Sequence, residues 1–255
     1  MIDLRKYRVH CRKFLSALGM LLAVALIFWT VNSPAIVGAS ATQRQLPVYS
    51  VQRSDKVVSL SFDAAWGNED TQELIDILQK YKVYTTFFVV GDWVDRYPES
   101  VKALAGAGHE VMNHSNSHAH FSTLSREQII SDITACNEKI EAVTGVRPVL
   151  FRCPYGEYDD HVISTVRGMG MEPIQWNIDS LDWKGLSADE IQRRVLKNIE
   201  PGSIILFHNA AENTPEALPG ILESLLSEGY RVVPISQILL SGDTAIDNTG
   251  KQYPR

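Results

Sequence analysis

Five apolar runs of this chain end on, or lead directly into, side chains that titrate or carry charge. Residues 57–62 end at Asp63, and residues 110–113 lead to His114 and His118. Residues 149–151 end at Arg152, residues 172–176 lead to Asp179 and Asp182-Trp183, and residues 203–207 end at His208. Taken singly, each has an ordinary explanation. Asp63 suits a helix N-cap, because a helical pattern follows within a few residues. Two histidines four apart suit one metal ion held from a turn, and equally a solvated surface pair. His208, behind four apolar residues, suits a core histidine; an imidazole near an acidic partner also suits general acid or base work. His120 reads as solvated or as a support for the other two.

Taken together, these residues share a position. Parallel strands present their C-terminal ends on one face, where α/β barrels and open α/β sheets build their sites. The elements that would place them there are legible as alternating patterns. Strand-like runs cover residues 57–62, 84–90, 110–113, 149–151, 172–176, 203–207 and 231–233. Helical patterns cover 71–81, 98–106, the segment after the Ser125-x-x-Gln128 capping box up to Gly145, 160–167, 188–198, 215–228 and 235–240. Strands alternating with helices imply βαβ units and a largely parallel sheet of about seven strands, either open or closed into a barrel. No GxGxxG or GxxxxGK[ST] follows any strand, which disfavours a nucleotide site.

Composition agrees with one catalytic-sized α/β domain: 255 residues, 45% hydrophobic and 21% charged. The net charge of −6 is unevenly spread. Residues 1–31 carry +4, so the remainder carries −10. An acidic body argues against nucleic-acid partners, which need Lys and Arg to neutralise phosphates. Cys11, Cys136 and Cys153 form no CxxC and no even framework, so buried free thiols are expected in the body. Arg5, Lys6, Arg8, Arg12 and Lys13 precede an uncharged apolar run at residues 14–31. That order predicts a transmembrane or signal-anchor helix with the body extracytoplasmic, or a secreted body if the chain is cleaved near Ala41. Residues 32–54 read as a linker, 55–240 as the catalytic domain, and 241–255 as a polar tail.

In order and spacing, five segments resemble the polysaccharide deacetylases of carbohydrate esterase family four, the NodB-homology domain. They are Ser61-Phe62-Asp63-Ala64, His114-Ser115-Asn116-Ser117-His118, Arg152-Cys153-Pro154-Tyr155-Gly156, Asp179-Ser180-Leu181-Asp182-Trp183 and Leu206-Phe207-His208. The run Phe62-Asp63-Ala64-Ala65-Trp66-Gly67 looks most like the sporulation-associated PdaB branch. The resemblance implies a distorted (β/α) barrel and removal of N-acetyl groups from an amino-sugar polymer, with peptidoglycan of the cell wall or spore cortex as the expected glycan. It implies Asp63 as general base, Arg152 as its orienting partner, Asp182 as the carboxylate tuning His208, and His208 as general acid. It further implies His114 and His118 as ligands of a divalent metal, zinc first. Tyr155 would supply a backbone N–H to the oxyanion, and Trp183 and Leu206 would wall the acetyl pocket. The sequence departs from the family at Ala64, where a metal-ligating carboxylate is usual; a methyl group binds no cation. Three readings follow, in this order: a deacetylase with a weakened metal site, a metal-independent hydrolase at the same pocket, and a non-catalytic glycan-binding protein.

Overall fold

The computed structural model of the protein describes residues 4–31 and 44–255, with side chains from residue 14 onward except that of residue 31. Two compact units result, Met1–Arg44 and Gln45–Arg255. In the first, α1 (Leu4–Val31) exposes its large apolar side chains, with Phe14, Met20, Phe28 and Trp29 all well over half exposed. No helix among the described residues is long and apolar enough to cross a membrane. The described side chains of residues 14–30 cover about 25 Å at the helical rise, short of a hydrocarbon core of about 30 Å. The side chain of Cys11, residues 32–43 of the expected linker and the expected cleavage site near Ala41 lie outside the described residues.

In the second unit the strands are β1 (Ser50–Val51), β2 (Val57–Ala64), β3 (Thr86–Val89), β4 (Glu110–Asn113), β5 (Leu150–Phe151), β6 (Glu172–Pro173), β7 (Ile178–Asp179), β8 (Ile204–His208), β9 (Arg231–Val232), β10 (Thr244–Ile246) and β11 (Lys251–Pro254). The helices are α2 (Thr71–Lys80), α3 (Gly91–Arg96), α4 (Pro98–Gly106), α5 (Arg126–Thr144), α6 (Asp160–Gly168), α7 (Ala188–Leu196), α8 (Thr214–Ser227) and α9 (Ile235–Ile238). The main sheet runs β6-β5-β4-β3-β2-β8-β7, with β9 also beside β2, and every pairing in it is parallel. All seven expected strands are present. β7 and α3 are additional; each is too short to leave a periodic signal.

Alternation along β2 sets the two layers. Val58, Leu60, Phe62 and Ala64 join the cluster that holds Leu74 and Leu78 of α2 and Leu218 and Ile221 of α8. Phe62 stacks on Phe87 and Phe207, with centroids 4.7 and 5.4 Å apart, tying β2 to both neighbours. The intervening positions Ser59, Ser61 and Asp63 point the other way, as a period of two requires. Val57, Phe88, Met112, Leu150, Ile174 and Ile204 fill the opposite side. The capping box at Ser125 forms as the sequence predicts, and α5 stops at Gly145 with φ +74°.

The two ends of the sheet path, β6 and β7, are joined by only four residues and do not pair. The gap is filled from the N-terminal side. Val48 bridges Ile174, and Ser50 bridges Ser203. Val51 N–H donates to the Gly202 carbonyl, and Gly202 sits at φ +89°, where an added Cβ would lie 1.7 Å from the Val51 oxygen. The result is an incomplete barrel whose seam is sealed by residues 48–51. β1, β11 and β10 form a second, three-stranded sheet, with Ser50 opposite Lys251 and Ala245 opposite Tyr253. Residues 45–54 of the expected linker and the expected polar tail are therefore folded structure. Their strands are short and hydrogen-bonded through the backbone, and the half-exposed β10 and β11 offer no apolar alternation to read.

Candidate active site

β2 and β8 are adjacent and in register so that Asp63 lies directly opposite His208. Both line one cavity of about 380 Å3, together with His114, His118, Tyr155, Trp66, Trp183 and Leu206. Arg152 and Asp182 stand behind this wall, each gripping one of the pair.

Arg152 is fully buried, and its Nη1 donates to Asp63 Oδ1 at 2.8 Å. Nη2 donates to Ser61 Oγ at 2.9 Å and to the Gln175 carbonyl at 3.2 Å. The guanidinium lies 4.1 Å from the Phe88 ring centroid. Asp63 keeps Oδ2 toward the cavity, where it faces His114 Nε2 at 3.5 Å. Burial opposes the Asp63 carboxylate, but the positive neighbours His114, Arg152 and His208 and the Arg152 hydrogen bond outweigh it, so its pKa lies below the ordinary value. Arg152 is the lasting source of that effect, because burial holds His114 below its own ordinary pKa.

The His114 Nδ1 hydrogen donates to the Arg152 carbonyl at 2.9 Å, since a carbonyl can only accept. This fixes Nε2 as the lone-pair atom of the neutral ring. The His118 ring lies 5.1 Å from that of His114, and burial lowers its pKa to about 4.

On the other side, Asp182 Oδ1 accepts from His208 Nδ1 at 2.8 Å, and Oδ2 accepts from the His208 backbone N–H and from Thr214 Oγ1, both at 2.8 Å. His208 Nε2 is left to the cavity. Burial alone would lower the His208 pKa; the hydrogen bond and charge of Asp182, with Asp63 and Asp179, more than offset it, and the pKa is raised. Tyr155 adopts φ +59°, a left-handed conformation that costs a non-glycine residue about 1–2 kcal/mol. Neighbours hold it there: the His120 ring stacks on Tyr155 at 4.4 Å, His120 pairs with Glu157 at 2.9 Å, and Gln175 Nε2 donates to the Gly156 carbonyl. His120 thus supports the turn and is not merely solvated.

The expected site residues Asp63, His114, His118, Arg152, Tyr155, Asp182, Trp183, Leu206 and His208 all meet here. The metal expectation fares differently. Ala64 is buried in the cluster facing the helices and offers no donor atom. Among the described residues, no three His, Cys, Asp or Glu side chains are arranged to hold a metal ion. The chain therefore does not fit the three-protein-ligand zinc site that catalysis usually uses. Cys136 and Cys153 are free and buried, as expected.

The sequence reading missed Ser61, Gln175, Thr214 and Trp66. Period-two alternation marks Ser61 as sharing a face with Asp63. Gln175 and Thr214 act through contacts that no local pattern signals. Trp66, about half exposed, sits 6.2 Å from the His118 ring and 6.0 Å from the His208 ring.

A polysaccharide deacetylase family model matches residues 50–174. The chain is 34% identical over 189 residues to the peptidoglycan-N-acetylmuramic acid deacetylase PdaC of Bacillus subtilis, covering 74% of this chain and 40% of PdaC. It is 33% identical over 196 residues to a peptidoglycan-N-acetylglucosamine deacetylase of Bacillus cereus, covering 75% of this chain and 92% of that one. Of the first curated relatives it spans between 40% and 66% of the length. A solved CE4-family pseudoenzyme from Bacillus anthracis superposes with a TM-score of 0.73 at 35% identity, covering 75% of this chain and 68% of that one. A mutant of that pseudoenzyme with restored enzymatic activity gives the same TM-score. With the parallel barrel, the five motifs around one cavity and these relatives in agreement, the chain belongs to the polysaccharide deacetylase family.

Proposed function

We propose that the protein hydrolyses N-acetyl groups on an amino-sugar polymer, peptidoglycan of the cell wall or spore cortex, by general acid and base catalysis at the Asp63–His208 cavity. The observation that carries this is the register pairing of Asp63 with His208, which puts an ionised carboxylate and an imidazole on one cavity. Asp63 Oδ2 takes a proton from the attacking water while Arg152 holds Oδ1. The water oxygen adds to the acetamide carbon, and the Tyr155 N–H in its left-handed turn receives the charge on the carbonyl oxygen. The C–N bond then breaks, His208 Nε2 gives its proton to the departing amine, and acetate leaves. Among the described residues the donors fall short of the three protein ligands usual in a catalytic zinc site, and no step uses a metal.

The proposal is tested by the pH profile of acetate release. His208 must be protonated to act as the acid, so the rate falls as pH rises through its pKa. Asp182→Asn removes the charge that raises this pKa and leaves burial, which lowers it. The alkaline limb is expected to move to lower pH, and the maximal rate to fall about 10²–10⁴-fold. An unmoved limb would remove His208 from the mechanism.

A second reading, glycan binding without turnover, is favoured by the missing third ligand and by the likeness to a pseudoenzyme. It predicts glycan affinity with no acetate.

We also propose that the body works outside the cytoplasm, with α1 inserting its exposed apolar side chains into the membrane. Recovery of the intact chain in the soluble cytoplasmic fraction would contradict this.

A further inference from the structure

Resting on the hydrolase reading, we infer that Trp66 is a substrate-positioning residue: its indole is the platform on which the pyranose ring bearing the reacting acetamide stacks. Among the described residues, four aromatic side chains of the second unit are exposed, Trp66, Tyr84, Tyr155 and Trp183, and three of them line the catalytic cavity. Two of those three are already engaged. Tyr155 has the His120 ring stacked on it at 4.4 Å and the His118 ring edge-on at 4.5 Å. Lys184 lies over the Trp183 ring, 5.0 Å from its centroid. The ring neighbours of Trp66 are His118 and His208, tilted from it by 54° and 40°, so neither imidazole lies flat on the indole.

The backbone that carries Trp66 is held on both sides of it. The Ala65 N–H donates to Asn209 Oδ1 at 3.2 Å. The Gly67 carbonyl accepts from Asn209 Nδ2 and from Trp93 Nε1, the latter at 2.9 Å. Asn209 and Trp93 are both buried, and the Asn209 N–H donates to the Asp63 carbonyl at 3.1 Å. One buried asparagine, next in the chain to His208, therefore ties residues 65 and 67 to the ends of β2 and β8. A backbone fixed in this way loses little further freedom when a ligand settles on its side chain.

The place of the platform identifies what stacks on it. The departing nitrogen must come within hydrogen-bond reach of His208 Nε2 to receive its proton. The pyranose ring is one bond from that nitrogen, which brings its face within van der Waals reach of an indole centred 6.0 Å from the His208 ring. Hydroxyls project from the rim of such a ring and leave C–H groups on its faces, which a flat apolar surface matches. Trp66 touches none of the bonds that change. It stabilises the bound substrate and the transition state alike, so its contribution belongs to KM more than to kcat.

The test measures acetate release, and binding by calorimetry, on the purified full chain with the N-acetylated glucosamine dimer and tetramer. Trp66→Ala is expected to lower kcat/KM about tenfold, mostly through KM, and to weaken binding by the same factor. The loss should be equal for both probes, because the stacked ring is the reacting one. Trp66→Phe keeps a flat face and should stay within about threefold of the wild type. Trp66→Leu keeps apolar bulk without that face and should behave like Trp66→Ala. A purely structural role would lower kcat and the unfolding midpoint in all three variants with no rescue by Phe, and that result overturns the inference. So does an unchanged KM in Trp66→Ala, or wild-type behaviour in Trp66→Leu. A loss confined to the tetramer, or a wild type that takes the tetramer and ignores the dimer, would put a neighbouring sugar on the ring and overturns it as well. Each of these leaves the hydrolase reading standing. If no acetate is released at all, the hydrolase reading fails, and the binding series decides the inference alone: equal affinity of the wild type and Trp66→Ala, or no measurable binding by the wild type, overturns it.

Discussion

Replacing Asp63 by Asn is expected to lower acetate release about 10²–10⁴-fold, the usual contribution of a positioned general base. The substitution is nearly isosteric, so its carbonyl oxygen can still accept from Arg152. It removes the proton acceptor and also the charge that faces Arg152, which is fully buried. Some loss of stability accompanies it for that reason. The rate is therefore read at a temperature well below the variant's own unfolding midpoint, with circular dichroism confirming the fold. Glycan affinity should change far less than the rate, because the cavity walls are unchanged. A folded Asp63→Asn protein that releases acetate at the wild-type rate would exclude Asp63 as the base.

The largest effect on stability is expected from Arg152→Ala. Arg152 makes three side-chain hydrogen bonds, to Asp63, Ser61 and the Gln175 carbonyl, and packs on Phe88. Its removal strands the Asp63 carboxylate in a buried site, a situation that costs about 3–5 kcal/mol. The sign of the pH dependence follows from linkage. In the wild type the Asp63 pKa is depressed, so its contribution to stability is present above the unfolded value and lost as pH falls through the folded one. In Arg152→Ala burial acts on the lone carboxylate, and the deficit is greatest at neutral pH. It should narrow as pH falls toward about 4, where the carboxyl can take a proton. Denaturant melts at pH 7 and pH 4.5 measure this directly. A deficit below about 1 kcal/mol at pH 7 would mean that Asp63 finds compensation elsewhere.

How much of this was legible in the sequence depended on the range of the interaction. β2 could be read because β-branched and apolar residues fill one long buried strand, and Asp63 stood out at its end. α5 could be read because its cap and its terminal glycine are local chemistry. The convergence of Asp63, His114, Arg152, Asp182 and His208 followed from one topological rule, that parallel strands share a C-terminal face. What escaped was tertiary. Thr214 reaches Asp182 from the start of α8, across 32 residues, and no sequence pattern encodes that contact. The seam at residues 48–51 and the strands at 244–254 are built from backbone hydrogen bonds, which every residue but proline can donate. Trp66 read only as part of a motif, whereas the fold sets it between two histidines of the site. Ala64 was legible as a departure from its family, and among the described residues the fold completes no three-ligand group in its stead.

The most direct test is acetate and free amine measured together, using the purified full chain with N-acetylated peptidoglycan strands and glucosamine oligomers. The account predicts one acetate for each new amine. A protein that binds these glycans yet releases no acetate over hours would contradict it, leaving a glycan-binding body built on a deacetylase barrel.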